Sequence, residues 1–128
     1  MFQVFSNDFK VYVTTFNVED QLYKRISYNL KDKLNYILTT DNNDNFISFR
    51  YLPILNLPVL KDYIKNKTNI TFTLISEDLD MSGIPISINN NILLVQQENN
   101  HNEYDINSIL LRSEHKSDYE EFLNSLHN

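Results

Sequence analysis

The chain has 128 residues, a net charge of −6, a single Gly and no Cys. That length suits one domain burying about two-thirds of its unfolded surface, and the missing Cys excludes disulfides and thiolate metal sites. One Gly cannot supply a phosphate-cradling loop, a dinucleotide fingerprint or a nucleophile elbow. Ala is absent and Asn occurs 19 times, so the core must pack bulky Ile, Leu, Phe and Tyr against one another. The same bias associates the chain with an AT-rich genome, as in phages and giant viruses. No basic segment followed by an apolar one opens the sequence, and no apolar run is long enough to span a bilayer, so neither a signal peptide nor a membrane span is expected. An intracellular setting (host cytoplasm) or a virion is the corresponding expectation.

In chain order, Phe2–Phe5 and Phe9–Phe16 are rich in β-branched and aromatic residues and flank Ser6-Asn7-Asp8, which predicts an N-terminal hairpin. In its second strand Val11 and Val13 face one way, and Tyr12, Thr14 and Phe16 the other. From Val18 to Leu38 an apolar residue recurs every fourth position (Val18, Leu22, Ile26, Leu30, Leu34, Leu38), with Tyr23 and Ile37 at three-residue offsets. This predicts a long amphipathic helix over about residues 18–38, capped by Asn17 and roughly 30 Å long. Phe46–Leu52 alternates as a half-buried strand ended by Pro53. Pro58 opens a short helix through Lys67, with Leu60, Tyr63 and Ile64 inward.

Asn69–Ser76 is the clearest strand in the pattern, followed by an acidic loop, Glu77–Gly83. Ile84–Ile88 and Ile92–Gln97 flank Asn89-Asn90-Asn91 as a second hairpin. Glu98–Glu103 is polar and reads as a loop, while Asp105–Arg112 fits strand or helix equally. Ser117 and Glu120 suggest a capping box for a terminal helix with Tyr119, Phe122, Leu123 and Leu126 on one face. The expected fold is α+β: one domain over residues 1–128, with a small, mostly antiparallel sheet carrying the long helix on one face and a short C-terminal helix.

Asp78-Leu79-Asp80-Met81-Ser82-Gly83 matches the first half of a calcium-loop signature, which sets Asp78, Asp80 and Ser82 on alternate residues as oxygen ligands before a turn glycine. The match then fails: Asn89 stands where the bidentate Glu belongs, Pro85 falls in the loop and a strand precedes it. The competing reading is a simple turn with Gly83 at positive φ. His101, His115 and His127 show no ligand spacing, and no cofactor is implied.

Charge divides unevenly. Residues 1–67 carry nine Lys/Arg against seven Asp/Glu, and residues 68–128 two against ten. Clustered basic residues are what phosphates require, so nucleic-acid binding is disfavoured. Tyr28 and Tyr36 fall off the apolar stripe of the predicted helix, which would leave them exposed as protein-contact anchors. With Lys24, Glu77, Asp78 and Asp80 they form the expected partner-binding set. The functional expectation is a non-catalytic assembly or interaction subunit, a small phage or viral structural or accessory protein, using self-association or a protein partner. The alternatives are an acidic inhibitor mimicking nucleic acid with the carboxylates of residues 77–121, and a small enzyme of unrecognised family.

Overall fold

The computed structural model describes residues 9–126, so the predicted Phe2–Phe5 strand with its turn, and His127, lie outside the described residues. Strand accounts for 57% and helix for 21% of the described chain. The chain forms two compact units, Met1–Tyr51 with Ser113–Asn128, and Leu52–Arg112.

In the first unit, strands β1 (Lys10–Val18), β2 (Gln21–Leu30), β3 (Lys33–Asp41) and β4 (Phe46–Tyr51) form an antiparallel meander in that order. The predicted 18–38 helix does not exist. Those residues are the end of β1, all of β2 and most of β3. A spacing of four suits a helix, but it is also an even number, and every even spacing keeps side chains on one face of a strand. Two tight turns let the chain reverse. Glu19-Asp20 (φ 50° and 66°) and Lys31-Asp32 (φ 51° and 63°) both sit in the left-handed region, the geometry that closes a two-residue hairpin with the right twist.

Between Tyr28 and Asn29 the β2–β3 register shifts, placing Asn35 in a bulge. The buried Asn35 side chain donates to the Lys33 carbonyl oxygen at 2.9 Å, satisfying a polar group there. The polar connection after β3 is an Asx-type turn. Asp41 Oδ1 accepts from the backbone N–H groups of Asn43 (2.8 Å) and Asn45 (2.9 Å). The Asn45 bonds, backbone first and side chain next, hold the Asp41 carboxyl below its usual range. Helix α2 (Lys116–Leu126) belongs to the same unit. It starts before the expected capping Ser117. Ser113 Oγ instead donates to Asp118 Oδ2 at 2.6 Å and accepts from the His115 N–H at 3.1 Å.

In the second unit a 3₁₀ turn (Pro53–Asn56) leads into helix α1 (Leu57–Asn66), with Leu60 fully buried. Strands β5 (Ile70–Leu74), β6 (Leu79–Asn89), β7 (Ile92–Gln97), β8 (Asn100–Asp105) and β9 (Ile109–Ser113) follow. They lie in the order β9-β5-β6-β7-β8, antiparallel throughout. The Asn90-Asn91 turn (φ 52° and 67°) closes the β6–β7 hairpin as the sequence predicts. The polar stretch from Glu98 is not a loop: its residues from Asn100 pair with β7 along the whole of β8. Asp105–Arg112 resolves to a turn and β9. Phe72, Leu93, Val95, Ile106 and Ile109 are each fully buried.

Candidate functional site

Registers in the first unit align apolar side chains into two rows across all four strands. One row runs Val11, Tyr28, Tyr36, Tyr51 and the next Val13, Ile26, Leu38, Phe49. Directly paired residues in an antiparallel sheet project to one face, so both rows share a face. At the β4 end α2 covers it. The Phe122 ring lies 5.0 Å from Tyr51, 5.1 Å from Tyr36 and 5.4 Å from Phe49, and Tyr119 lies 5.1 Å from Phe49. Exposure follows the cover, with Phe49 at 1% and Tyr36 at 5% but Val11 at 51% and Val13 at 58%. Phe9, just before β1, also packs edge-on against Tyr28 at 6.2 Å and Tyr36 at 5.6 Å, and past these shielding rings the rows continue outward to Val11 and Val13.

Strand β1 is also the end of the meander. Among the described residues its outer edge pairs with nothing, and its sequence, KVYVTTFNV, has one charge. Such an edge is a template for another strand unless charge, proline, a bulge or a covering element blunts it. β8, the terminal strand of the second unit, shows the blunted kind. It reads NHNEYD, polar almost throughout. The opposite face of β1 adds aromatic surface. Phe16 stacks on Tyr23 at 5.5 Å, with the Arg25 guanidinium 5.9 Å from the Phe16 ring centre.

The residues singled out from sequence divide differently. Tyr36 is buried, so its expected role as an exposed anchor is corrected: the row register seals it under α2. Burial, then the neighbouring Tyr119 and Tyr28, raises its phenol well above the ordinary value. Tyr28 is half-buried and stacked on Tyr36, and burial raises it too. Tyr119 is pushed up to about 12, by burial first and then by Tyr28. Lys24 donates to Asp44 Oδ1 at 2.7 Å, tying β2 to the β3–β4 turn.

Glu77, Asp78 and Asp80 are exposed and lie in the second unit. Asp78 occupies the β5–β6 turn at φ 49°. The residues after it run straight into β6, so Asp80 and Ser82 stand on a strand and do not wrap a loop. Asp80 Oδ1 accepts from the Thr73 hydroxyl at 2.6 Å. Gly83 is not at positive φ. It is needed for close approach, since a Cβ there would lie 2.5 Å from Val95 Cγ1 and 2.7 Å from the Gln96 carbonyl oxygen. Among the described residues no three His, Cys, Asp or Glu side chains group so as to hold a metal ion. His101 and His115 are exposed.

Two shallow hollows lie on the second unit. One, of about 590 Å³, is lined chiefly by Asp80, Ser82, Gln96, Gln97, Asn100 and Asn102. Its polar groups bond to one another: Gln97 Oε1 accepts from Tyr104 Oη (2.6 Å) and Asn102 Nδ2 (2.8 Å). The other, of about 410 Å³, sits over Ser87, Ile92, Leu94, Glu103 and Asp105. No helix among the described residues is long and apolar enough to cross a membrane.

Sequence reasoning read β1 as a strand but missed its importance, because the helix predicted after it hid the meander that makes it terminal. No protein-family model matches the chain, and neither a characterised protein nor a solved structure matches it.

Proposed function

We propose that the chain is a non-catalytic interaction protein that joins another polypeptide through the outer edge and open apolar face of β1. The single observation carrying this reading is that two apolar rows, buried at β4 and half-buried on β2, end uncovered at Val11 and Val13 on a strand whose edge is unpaired among the described residues. Adding a strand there satisfies a row of backbone donors and acceptors and extends both rows, the general mode of β-strand addition. The AT-biased composition makes a small phage or viral accessory protein the setting we propose for it.

The test compares the wild-type chain with Val13→Lys. The substitution puts a charge on the exposed end of a row and should leave the fold intact by far-UV circular dichroism. Wild-type chain is expected to associate, either with itself in sedimentation velocity or with a protein retained from lysate, and the variant to lose that association. Binding that survives in the variant, or none in either, would overturn the reading.

A further inference from the structure

Resting on that reading, the geometry points to a second copy of this chain as the partner, with β1 pairing antiparallel to its own copy about a two-fold axis at Thr14. Three observations converge on this occupant.

The first is charge. The only ionised side chain in β1 is Lys10 at its start, and the turn at its other end is Glu19-Asp20. Antiparallel pairing of two copies sets Lys10 beside Val18 of the second copy, next to that acidic turn. Lys10 also lies 3.9 Å from Asp32 of the β2–β3 turn, so it is at the other end that parallel pairing is disfavoured, by setting the two acidic turns side by side.

The second is register. Centring the axis on Thr14 overlaps all nine residues of β1, Lys10–Val18. It pairs Tyr12 with Phe16, Val13 with Thr15 and Thr14 with Thr14. Each Tyr12–Phe16 pair extends the Phe16–Tyr23 stack already present on that face. On the other face the two Val13 side chains become diagonal neighbours, about 7–8 Å apart. That closes over the most exposed of the large apolar residues in the strand.

The third is face. A two-fold axis perpendicular to an edge-paired sheet keeps corresponding faces on one side. The open face of one copy therefore continues into the open face of the other, the two Val13 ends meeting diagonally while Val11 lies opposite Asn17, and each copy's α2 shields the far end of its own rows. Four strands become eight.

The chain has no cysteine, so single substitutions read the register directly. Paired Cα atoms across antiparallel strands are about 4.5–5.5 Å apart, within disulfide reach. Thr14→Cys is expected to convert mostly to a disulfide-linked dimer under mild oxidation. In Tyr12→Cys the two sulfurs would be offset by about 14 Å along the strands, so its self-linking should be at least tenfold slower. An equimolar mixture of Tyr12→Cys and Phe16→Cys should cross-link to each other. Sedimentation velocity of the unsubstituted chain should show a dimer that dissociates on dilution, and Val13→Lys should abolish it.

A chain that is monomeric at every concentration with no Thr14→Cys linkage would overturn the inference. So would a dimer that links as well through Tyr12→Cys as through Thr14→Cys. If the monomer still retains a different protein in a Val13-dependent way, only the second-copy inference falls. If it retains nothing, the proposed function falls with it.

Discussion

Tyr28 and Tyr36 stand directly opposite each other on β2 and β3, their rings 4.3 Å apart and within 13° of parallel. Tyr36 in turn meets Phe122 of α2 edge-on at 5.1 Å, with 73° between the rings. This chain of contacts couples the meander to the helix that covers it. Tyr36→Ala, which empties a buried site, is expected to cost about 3–5 kcal/mol in urea denaturation. Tyr28→Ala should cost less, about 1–2 kcal/mol, since that ring is half exposed. A double-mutant cycle should give a coupling of about 0.5–1.5 kcal/mol between them, and a coupling near zero would contradict the stacked geometry.

The same cluster makes the protein sensitive to alkali. Tyr36 and Tyr119 bind their phenolic protons more tightly folded than unfolded. Unfolding therefore releases protons once the pH exceeds about 10, the ordinary tyrosine value. The stability they contribute is complete below pH 10 and is lost as pH rises through the folded value, about 12 for Tyr119. Absorbance titration of phenolate should show Tyr28, Tyr36 and Tyr119 ionising above the ordinary tyrosine value. Tyr119→Phe should make the fall in stability between pH 10 and pH 12 shallower.

A third prediction separates hairpin from helix at residues 31 and 32. Asp32 lies at φ 63° in the β2–β3 turn. Asp32→Gly removes the cost of a left-handed conformation for a side-chain-bearing residue and should stabilise the chain by about 0.5–1 kcal/mol. In the middle of a helix the same change would destabilise by a similar amount, so the sign of the shift in melting temperature decides the matter.

These turns also explain what was legible in the sequence. Asn89-Asn90-Asn91 announced a hairpin because Asn tolerates the left-handed region. Glu19-Asp20 and Lys31-Asp32 adopt the same geometry with one Asp each and no Gly, Pro or Asn, a turn signal too weak to break the 18–38 run. Within it Leu22, Ile26 and Leu30 keep both a helical and a strand period, and Tyr23 and Ile37 add the three-residue offsets that favour a helix. Helix α1 was readable from Pro58 and its three-and-four spacing, and helix α2 from Tyr119 and Phe122. Strand β8 was not, because NHNEYD has no apolar alternation and is held by pairing with β7. Of the candidate site, the facing of Val11 and Val13 was legible, but their exposure was not. Exposure depends on which strand ends the sheet, and that followed only once residues 18–38 were recognised as strands.

Gly83 offers a test of the second unit by itself. Its β6 backbone lies so close to β7 that an added Cβ would meet a carbonyl oxygen as well as a side chain. Gly83→Ala should destabilise by about 2–3 kcal/mol in chemical denaturation. Adding Val95→Ala would remove the contact with Val95 Cγ1 but not the one with the Gln96 carbonyl oxygen, so it should not restore stability. A neutral Gly83→Ala would contradict the close approach.

Among the described residues the outer edge of β1 is open, and the inferred association closes it. Every second backbone N–H between Lys10 and Val18 points away from β2, so residue-resolved hydrogen exchange reads the two rows separately. In dilute protein the inward row should be protected and the outward row should exchange freely, and raising the concentration should protect the outward row alone. Outward amides protected even at the lowest concentration, or exchanging freely at every concentration with the inferred partner present, would contradict it.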